Sequence, residues 1–145
     1  MNVHIRLMTD ADIDDIVEIS SLSFSHSWSK SSYEHELQNS LAKYFVAEIN
    51  NKVVGFIGTW IIVDESHITN VAVHPDFRKN GIALKLINTM IAYCKDRGCI
   101  AYTLEVRAGN IPAILLYEKC GFKQDGIRKG YYQDNNEDAI LMWLR

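Results

Sequence analysis

The stretch HPDFRKNGIALKLI, residues 74 to 87, joins an apolar run, Ile68 to Val73, to a long amphipathic one. At the joint stand Arg78, Lys79, Asn80 and Gly81. A helix starting there leaves several N–H donors unpaired at the positive end of its dipole, which favours an anion. Gly81 lets an anion approach the backbone closely, Ala83 keeps the next turn uncluttered, and the two cations add charge. The junction suits a pyrophosphate; on these residues alone, a solvated turn with surface cations fits equally well. Neither G-x-x-x-x-G-K-[ST] nor G-x-G-x-x-G occurs, which tells against a nucleotide P-loop and a dinucleotide fingerprint.

Other residues invite chemistry singly. Glu105 sits in YTLEV, an otherwise apolar strand stretch, and a carboxylate there needs a reason: a salt bridge to Arg107 or Arg128, or a chemical role. Tyr117, among Ile114 and Leu116, reads as a core or rim aromatic. Cys94 lies on a core stripe, Cys99 opens a strand and Cys120 ends a helix; with no histidine placed to activate them, all three read as buried small hydrophobes. His67 and His74 read as ordinary strand and turn residues, since neither has a second histidine or a cysteine within four residues. No metal is predicted.

These residues need elements to position them. HIRLM predicts a first strand with Ile5 and Leu7 on one side. Thr9 and Asp12 then cap a helix carrying Ile13, Ile16 and Val17, and a second helix after SWS turns Tyr33 and Leu37 inward. YFVAEI and VVGFIGTWIIV flank Asn50-Asn51-Lys52 as a hairpin, followed by the strand HITNVAV. From Gly81 to Arg97, Ala83, Leu86, Ile87, Met90, Ile91 and Cys94 recur at three- and four-residue spacing, a helix that Gly98 stops. CIAYTLEV resumes as a strand, Asn110 and Pro112 begin a helix that Gly121 ends, and FKQDGIRKGYY and EDAILMWL close as a hairpin. The order β-α-α-β-β-β-α-β-α-β-β predicts an α+β fold, a mixed sheet with a parallel β-α-β unit at its centre and the Gly81 helix as crossover.

The chain has 145 residues, 48% hydrophobic and 23% charged, the proportions of one compact domain spanning 1-145. A formal net charge of -3 argues against non-specific nucleic-acid binding and mildly favours a cationic partner. No apolar run approaches the ~20 residues of a membrane span, the N-terminus MNVHIRLMTD lacks a signal-peptide core, and three cysteines without C-x-x-C spacing suit a reducing compartment. The cytoplasm is the expected location.

VAVHPDFRKNGIALKLI resembles the acetyl-coenzyme A motif of the GNAT acetyltransferases, a strand followed by [QR]-x-x-G-x-[GA], with Arg78, Gly81 and Ala83 at the marked places. LEVRAGNIPAILLYEKCGF follows at the expected distance. YYQDNNEDAILM and HSWSKSSYEHEL resemble the closing hairpin and the substrate-side segment of one subgroup, the RimI-type alanine N-acetyltransferases, which act on a small-subunit ribosomal protein. The likeness covers almost the whole chain; Ala83 stands where Gly is commoner and Arg78 where Gln is, both within the pattern.

The resemblance implies a splayed, mostly antiparallel sheet of six or seven strands with about four helices, acetyl-coenzyme A in the splay, and direct transfer of acetyl to an amine. By it, Val71, Ala72 and Val73 flank the pantetheine arm, the backbone of Arg78, Lys79, Asn80, Gly81, Ile82 and Ala83 holds the pyrophosphate, and Asn110 contacts the cofactor near its thiol end. An α-amino group of pKa about 7.7 to 8.0 is mostly protonated near pH 7, so a base is useful. Glu105 matches the general base of the subgroup, acting through water, and Tyr117 matches the proton donor to the leaving thiolate. Trp28 and Tyr132, with Tyr131, Asp134, Glu137 and Asp138, are candidates for an aromatic and acidic acceptor rim, though each also suits an ordinary hairpin or loop. The acceptor implied is a protein N-terminal alanine; a lysine side chain, another terminus or a small amine remain alternatives, as does a non-catalytic coenzyme A-sensing module.

Overall fold

The computed structural model describes residues 2–145. Seven strands run in the order β1-β2-β3-β4-β5-β7-β6: β1 (His4–Leu7), β2 (Ala42–Ile49), β3 (Lys52–Ile62), β4 (Glu65–Val73), β5 (Ala101–Arg107), β6 (Lys123–Tyr132) and β7 (Glu137–Leu144). Four α-helices accompany them: α1 (Ile13–Ser23), α2 (Lys30–Gln38), α3 (Ile82–Asp96) and α4 (Ile111–Lys119). Every strand pair is antiparallel except β4 with β5, which α3 connects. This is the predicted order of elements, with the parallel unit where the period change placed it.

Local chemistry explains the boundaries. Asn50 and Asn51 both take positive φ, 50° and 63°, so the β2–β3 connection is a two-residue turn that asparagine tolerates well. Thr9 and Asp12 form a capping box over the short 3-10 turn Asp10–Asp12 that leads into α1, and the Ser29 hydroxyl accepts from the Ser32 amide at the start of α2. Leu7 departs from expectation: on the four-residue edge strand β1 it is 46% exposed, while Ile5 packs against the core.

Two apolar layers sandwich the sheet. α3 presses Ile82, Leu86, Ile87, Met90 and Cys94 onto one face beside Leu104, Val106 and Ile114. On the other face Ile13, Ile16, Ile19 and Tyr33 of α1 and α2 cover Tyr44, Val46 and Phe56. Burying these side chains at about 1.5 to 3 kcal/mol each is the main force holding both layers to the sheet.

The sheet is splayed at its centre. β4 and β5 pair only over Glu65–His67 and Ala101–Thr103. Two residues further along β4 the β3–β4 register shifts, with Gly58 opposite Asn70 and Thr59 opposite Ile68, so Thr69 is an extra residue in β4. A bulge bends and twists the strand that carries it, and here it directs β4 away from β5. The gap that opens lies between the C-terminal halves of the two parallel strands.

Candidate active site

The edge of β4 facing the gap carries free main-chain groups. The His74 amide donates to the Val54 carbonyl at 2.7 Å, so in the alternating antiparallel ladder Val73 and Val71 direct their own N–H and C=O groups away from β3. Ala72, between them, gives its peptide to Phe56 and can contribute only wall surface. Arg78 curls back, its Nε donating to the Val73 carbonyl at 3.0 Å and its Nη2 to the Ser23 hydroxyl at 3.2 Å.

The backbone then turns sharply into α3. Lys79 has φ 65° and Gly81, the residue capping the helix, φ 74° with no side-chain hydrogen bond to the first turn. The first intrahelical bond runs from the Lys85 amide to the Gly81 carbonyl, which leaves the amides of Ile82, Ala83 and Leu84 without intrahelical acceptors. A methyl built on Gly81 would meet nothing within 4 Å. These amides open onto a cleft of about 630 Å³ lined by Val71, Val73, Gly81, Ala83, Leu116 and Tyr117.

A second cleft, of about 890 Å³, lies on the α1–α2 face of the splay and is lined by Trp28, Thr69, Glu105, Arg107, Tyr117 and Tyr132, among others. The two clefts share Val71, Asn110 and Tyr117 as walls. They therefore adjoin, one reaching the start of α3 and the other Glu105. Asn110 caps α4, its Oδ1 accepting from the Ala113 amide at 3.3 Å, and so fixes the helix that carries Tyr117.

In the second cleft, Glu105 Oε2 lies 2.7 Å from His67 Nε2. A carboxylate keeps that distance only with an N–H, so Nε2 carries the proton. Arg128 Nε is 3.6 Å from the other oxygen. The His67 hydrogen bond, against the opposing effect of burial, holds the Glu105 carboxyl below the usual range and therefore ionised. Of the two arginines considered from sequence, Arg128 reaches Glu105, whereas Arg107 turns away to Asp134 and Glu137.

The sequence reading missed His67, taken as an ordinary strand residue. It is 38 positions from Glu105, with no local pattern linking the two; the available signal was that β4 and β5 are parallel neighbours across the crossover. His74 does sit in a turn, its Nδ1 accepting from the Asp76 amide. Among the described residues no three His, Cys, Asp or Glu side chains gather to hold a metal ion.

Tyr117 forms the wall between the clefts, packed edge-on against Phe122 at 5.9 Å. Its hydroxyl makes no hydrogen bond among the described residues, and burial lifts its pKa well above that of an ordinary phenol. Tyr132 is pushed up to about 12, first by burial, and lies under the Arg107 guanidinium at 4.0 Å. Trp28 packs on Tyr33 with ring centroids 5.6 Å apart. The predicted acidic rim is less available than its sequence suggested: Asp134 and Glu137 are paired with Arg107, and Asp138 with Lys129. Cys94 and Cys99 are buried and Cys120 half-buried; burial raises all three thiols, Cys94 to about 11, which leaves little thiolate for a covalent route.

A helix N-terminus with free amides beside a splayed parallel strand pair is the arrangement that the GNAT resemblance implied. The family model described as "Acetyltransferase (GNAT) family" matches residues 13–122. The chain belongs to the GNAT acetyltransferases. It is an N-acetyltransferase, and its relatives agree on that class. The [ribosomal protein bS18]-alanine N-acetyltransferase of Salmonella typhimurium (strain LT2) is 31% identical over 144 residues, 97% of this chain and 95% of that protein. An N-alpha-acetyltransferase of Saccharolobus solfataricus is 35% identical over 144 residues, 90% of this chain and 86% of that one. The crystal structure of a ribosomal-protein alanine N-acetyltransferase from Escherichia coli superposes with a TM-score of 0.92 at 32% identity, covering 99% of this chain and 93% of the other. The two alanine N-acetyltransferases are of the RimI type.

Proposed function

We propose that this GNAT enzyme moves acetyl from acetyl-coenzyme A directly to the N-terminal amine of a protein that begins with alanine, a small-subunit ribosomal protein in the cytoplasm. The observation that carries the reading is the meeting of the two clefts at Tyr117, with free helix amides lining one and a half-buried ionised carboxylate lining the other. The names of the relatives support the acceptor.

The residues present fit the co-substrate. The amides of Ile82, Ala83 and Leu84 suit a pyrophosphate, and the exposed peptide edges of Val71 and Val73 suit an amide-bearing arm. Bound acetyl-coenzyme A supplies an acyl thioester, which amines attack readily.

Glu105 is the base. An N-terminal ammonium must shed a proton for its nitrogen to attack, and the nitrogen becomes more acidic as the new bond forms. A carboxylate that stays ionised is then always ready to accept, directly or through a water, and His67 keeps it oriented. Tyr117 stays protonated. Full transfer from so weak an acid to a thiolate of pKa about 8.5 is uphill, so Tyr117 acts by donating a hydrogen bond to the developing thiolate charge.

The test is a panel of acceptors with acetyl-coenzyme A, following free thiol: peptides beginning with alanine, serine or methionine, a terminally blocked lysine peptide, and a polyamine. Preference for the alanine peptide is expected. Equal or greater activity on the blocked lysine peptide or the polyamine removes the N-terminal reading.

A further inference from the structure

One residue pair along β5 from Glu105, on the same face, Arg107 is the hub of a second polar cluster. Its Nη1 donates to Asp134 Oδ1 at 3.2 Å, to Asn135 Oδ1 at 3.3 Å and to Glu137 Oε1 at 3.1 Å. Its Nη2 donates to Asp134 Oδ2 at 2.9 Å, and its guanidinium lies over the Tyr132 ring. Asp134 and Glu137 are each held from a second side. The Ser25 hydroxyl, in the loop between α1 and α2, donates to Asp134 Oδ2 at 2.9 Å, and the Gly109 amide, beside Asn110, donates to Glu137 Oε2 at 2.9 Å.

We propose that Arg107 is a positioning residue for the acceptor: it fixes the β6–β7 turn and Tyr132 against the α1–α2 loop, and so sets the shape of the groove in which the acceptor peptide lies. The proposal rests on reading the Glu105 cleft as the acceptor site.

Two features separate this role from simple fastening of a hairpin. The backbone ladder reaches the turn only through the Tyr132–Glu137 pair, because the β6–β7 register breaks between Arg128 and Tyr132. Apolar packing does not hold it, since β6 is exposed along most of its length. Within the turn the Asn135 amide donates to Asp134 Oδ1 and the Glu137 amide to Asn135 Oδ1, but the side-chain bonds that tie the turn to β5 converge on the Arg107 guanidinium. Arg107, Tyr132 and Asp134 all line the acceptor cleft. A planar fork is required: a lysine ammonium offers a point charge and would satisfy Asp134 without fixing Asn135, Glu137 and the ring together.

The test compares R107Q, R107K, D134N and the R107Q/D134N double variant, with the alanine peptide and acetyl-coenzyme A varied separately. Acceptor KM should rise about tenfold or more in R107Q, as expected when a substrate-positioning group is lost. The KM for acetyl-coenzyme A should stay near the parent value, R107K should recover only part of the loss, and the double variant should be no worse than R107Q. An unchanged acceptor KM, or an equal rise in both KM values, overturns the proposal. If the parent protein acetylates no alanine peptide, the acceptor reading has failed separately. Chymotrypsin then decides: R107Q should be cut after Tyr131 or Tyr132 faster than the parent, and equal rates overturn the clamp.

Discussion

From the last paired rung of β4 and β5, His67 reaches with Nε2 to 2.7 Å from Oε2 of Glu105, two residues further along β5, where the sheet opens. The hydrogen bond favours the ionised carboxylate, so it lowers the Glu105 pKa. Replacing His67 by phenylalanine removes that effect and leaves burial, which raises the pKa. With Glu105 as the proposed base, activity needs it ionised, so the acid limb of the pH profile for kcat/KM should move to higher pH in His67→Phe. An unmoved limb would separate His67 from the base.

Removing the base outright is a larger change. Glu105→Gln keeps the shape and the hydrogen bond to His67 but cannot accept a proton, and kcat/KM should fall by about 10² to 10⁴ at neutral pH. Much of the loss should return at high pH, where the amine is neutral in solution. A variant as fast as the parent at pH 7 would mean that the carboxylate is structural.

Tyr117→Phe tests the other end of the transfer. Among the described residues the hydroxyl has no partner to strand, so stability should change little while kcat falls by about 10- to 100-fold, with acceptor KM near the parent value. Steady-state kinetics alongside a melting curve would distinguish this from loss of a core aromatic, which would lower both.

Much of this site was legible in the chain and some was not, for physical reasons. The α3 junction could be read because helix starts, glycine conformation and the 3.6-residue period are local properties, and the residues proposed to hold the phosphate are consecutive. Glu105 stood out as a carboxylate in an apolar strand. Its partner did not, because His67 meets it only through the parallel pairing of β4 with β5, and Arg128 through β7 and β6. Asp134 and Glu137 looked like free acidic residues; only the fold brings Arg107 to them. The bulge at Thr69 that opens the cleft leaves no mark in the sequence pattern HITNVAV, which alternates poorly in any register.

Gly81 and Gly98 bracket α3, both with positive φ, 74° and 92°, and a methyl on either meets nothing within 4 Å. Replacing either residue by alanine should therefore cost similar stability, about 1 kcal/mol from left-handed strain. Only Gly81→Ala, and more so Gly81→Val, should also weaken coenzyme A binding, because only that methyl stands where the pyrophosphate would approach the amides. Titration calorimetry on the two variants provides the comparison. Equal coenzyme A affinity for both would remove the phosphate from the start of α3.

The remaining prediction concerns stability away from the site. Asp12 is buried, with Arg6 Nη1 and Nη2 donating to its two oxygens at 2.7 and 2.8 Å and the Thr9 amide donating to it at 2.8 Å. The Arg6 hydrogen bonds, foremost among the causes, hold its carboxyl below the ordinary value. A carboxyl whose folded pKa is depressed contributes stability above its unfolded pKa and loses that contribution as pH falls through the folded value. Arg6→Gln should thus cost about 1 to 3 kcal/mol at pH 7, the scale of a charge-assisted hydrogen bond. The gap between parent and variant should then close as the pH drops below about 4, where the unfolded carboxyl begins to be protonated. Urea titrations of both proteins at pH 7 and at a series of acid values measure that gap directly. A constant difference across the series would show that Arg6 acts through packing, and not through a carboxylate charge.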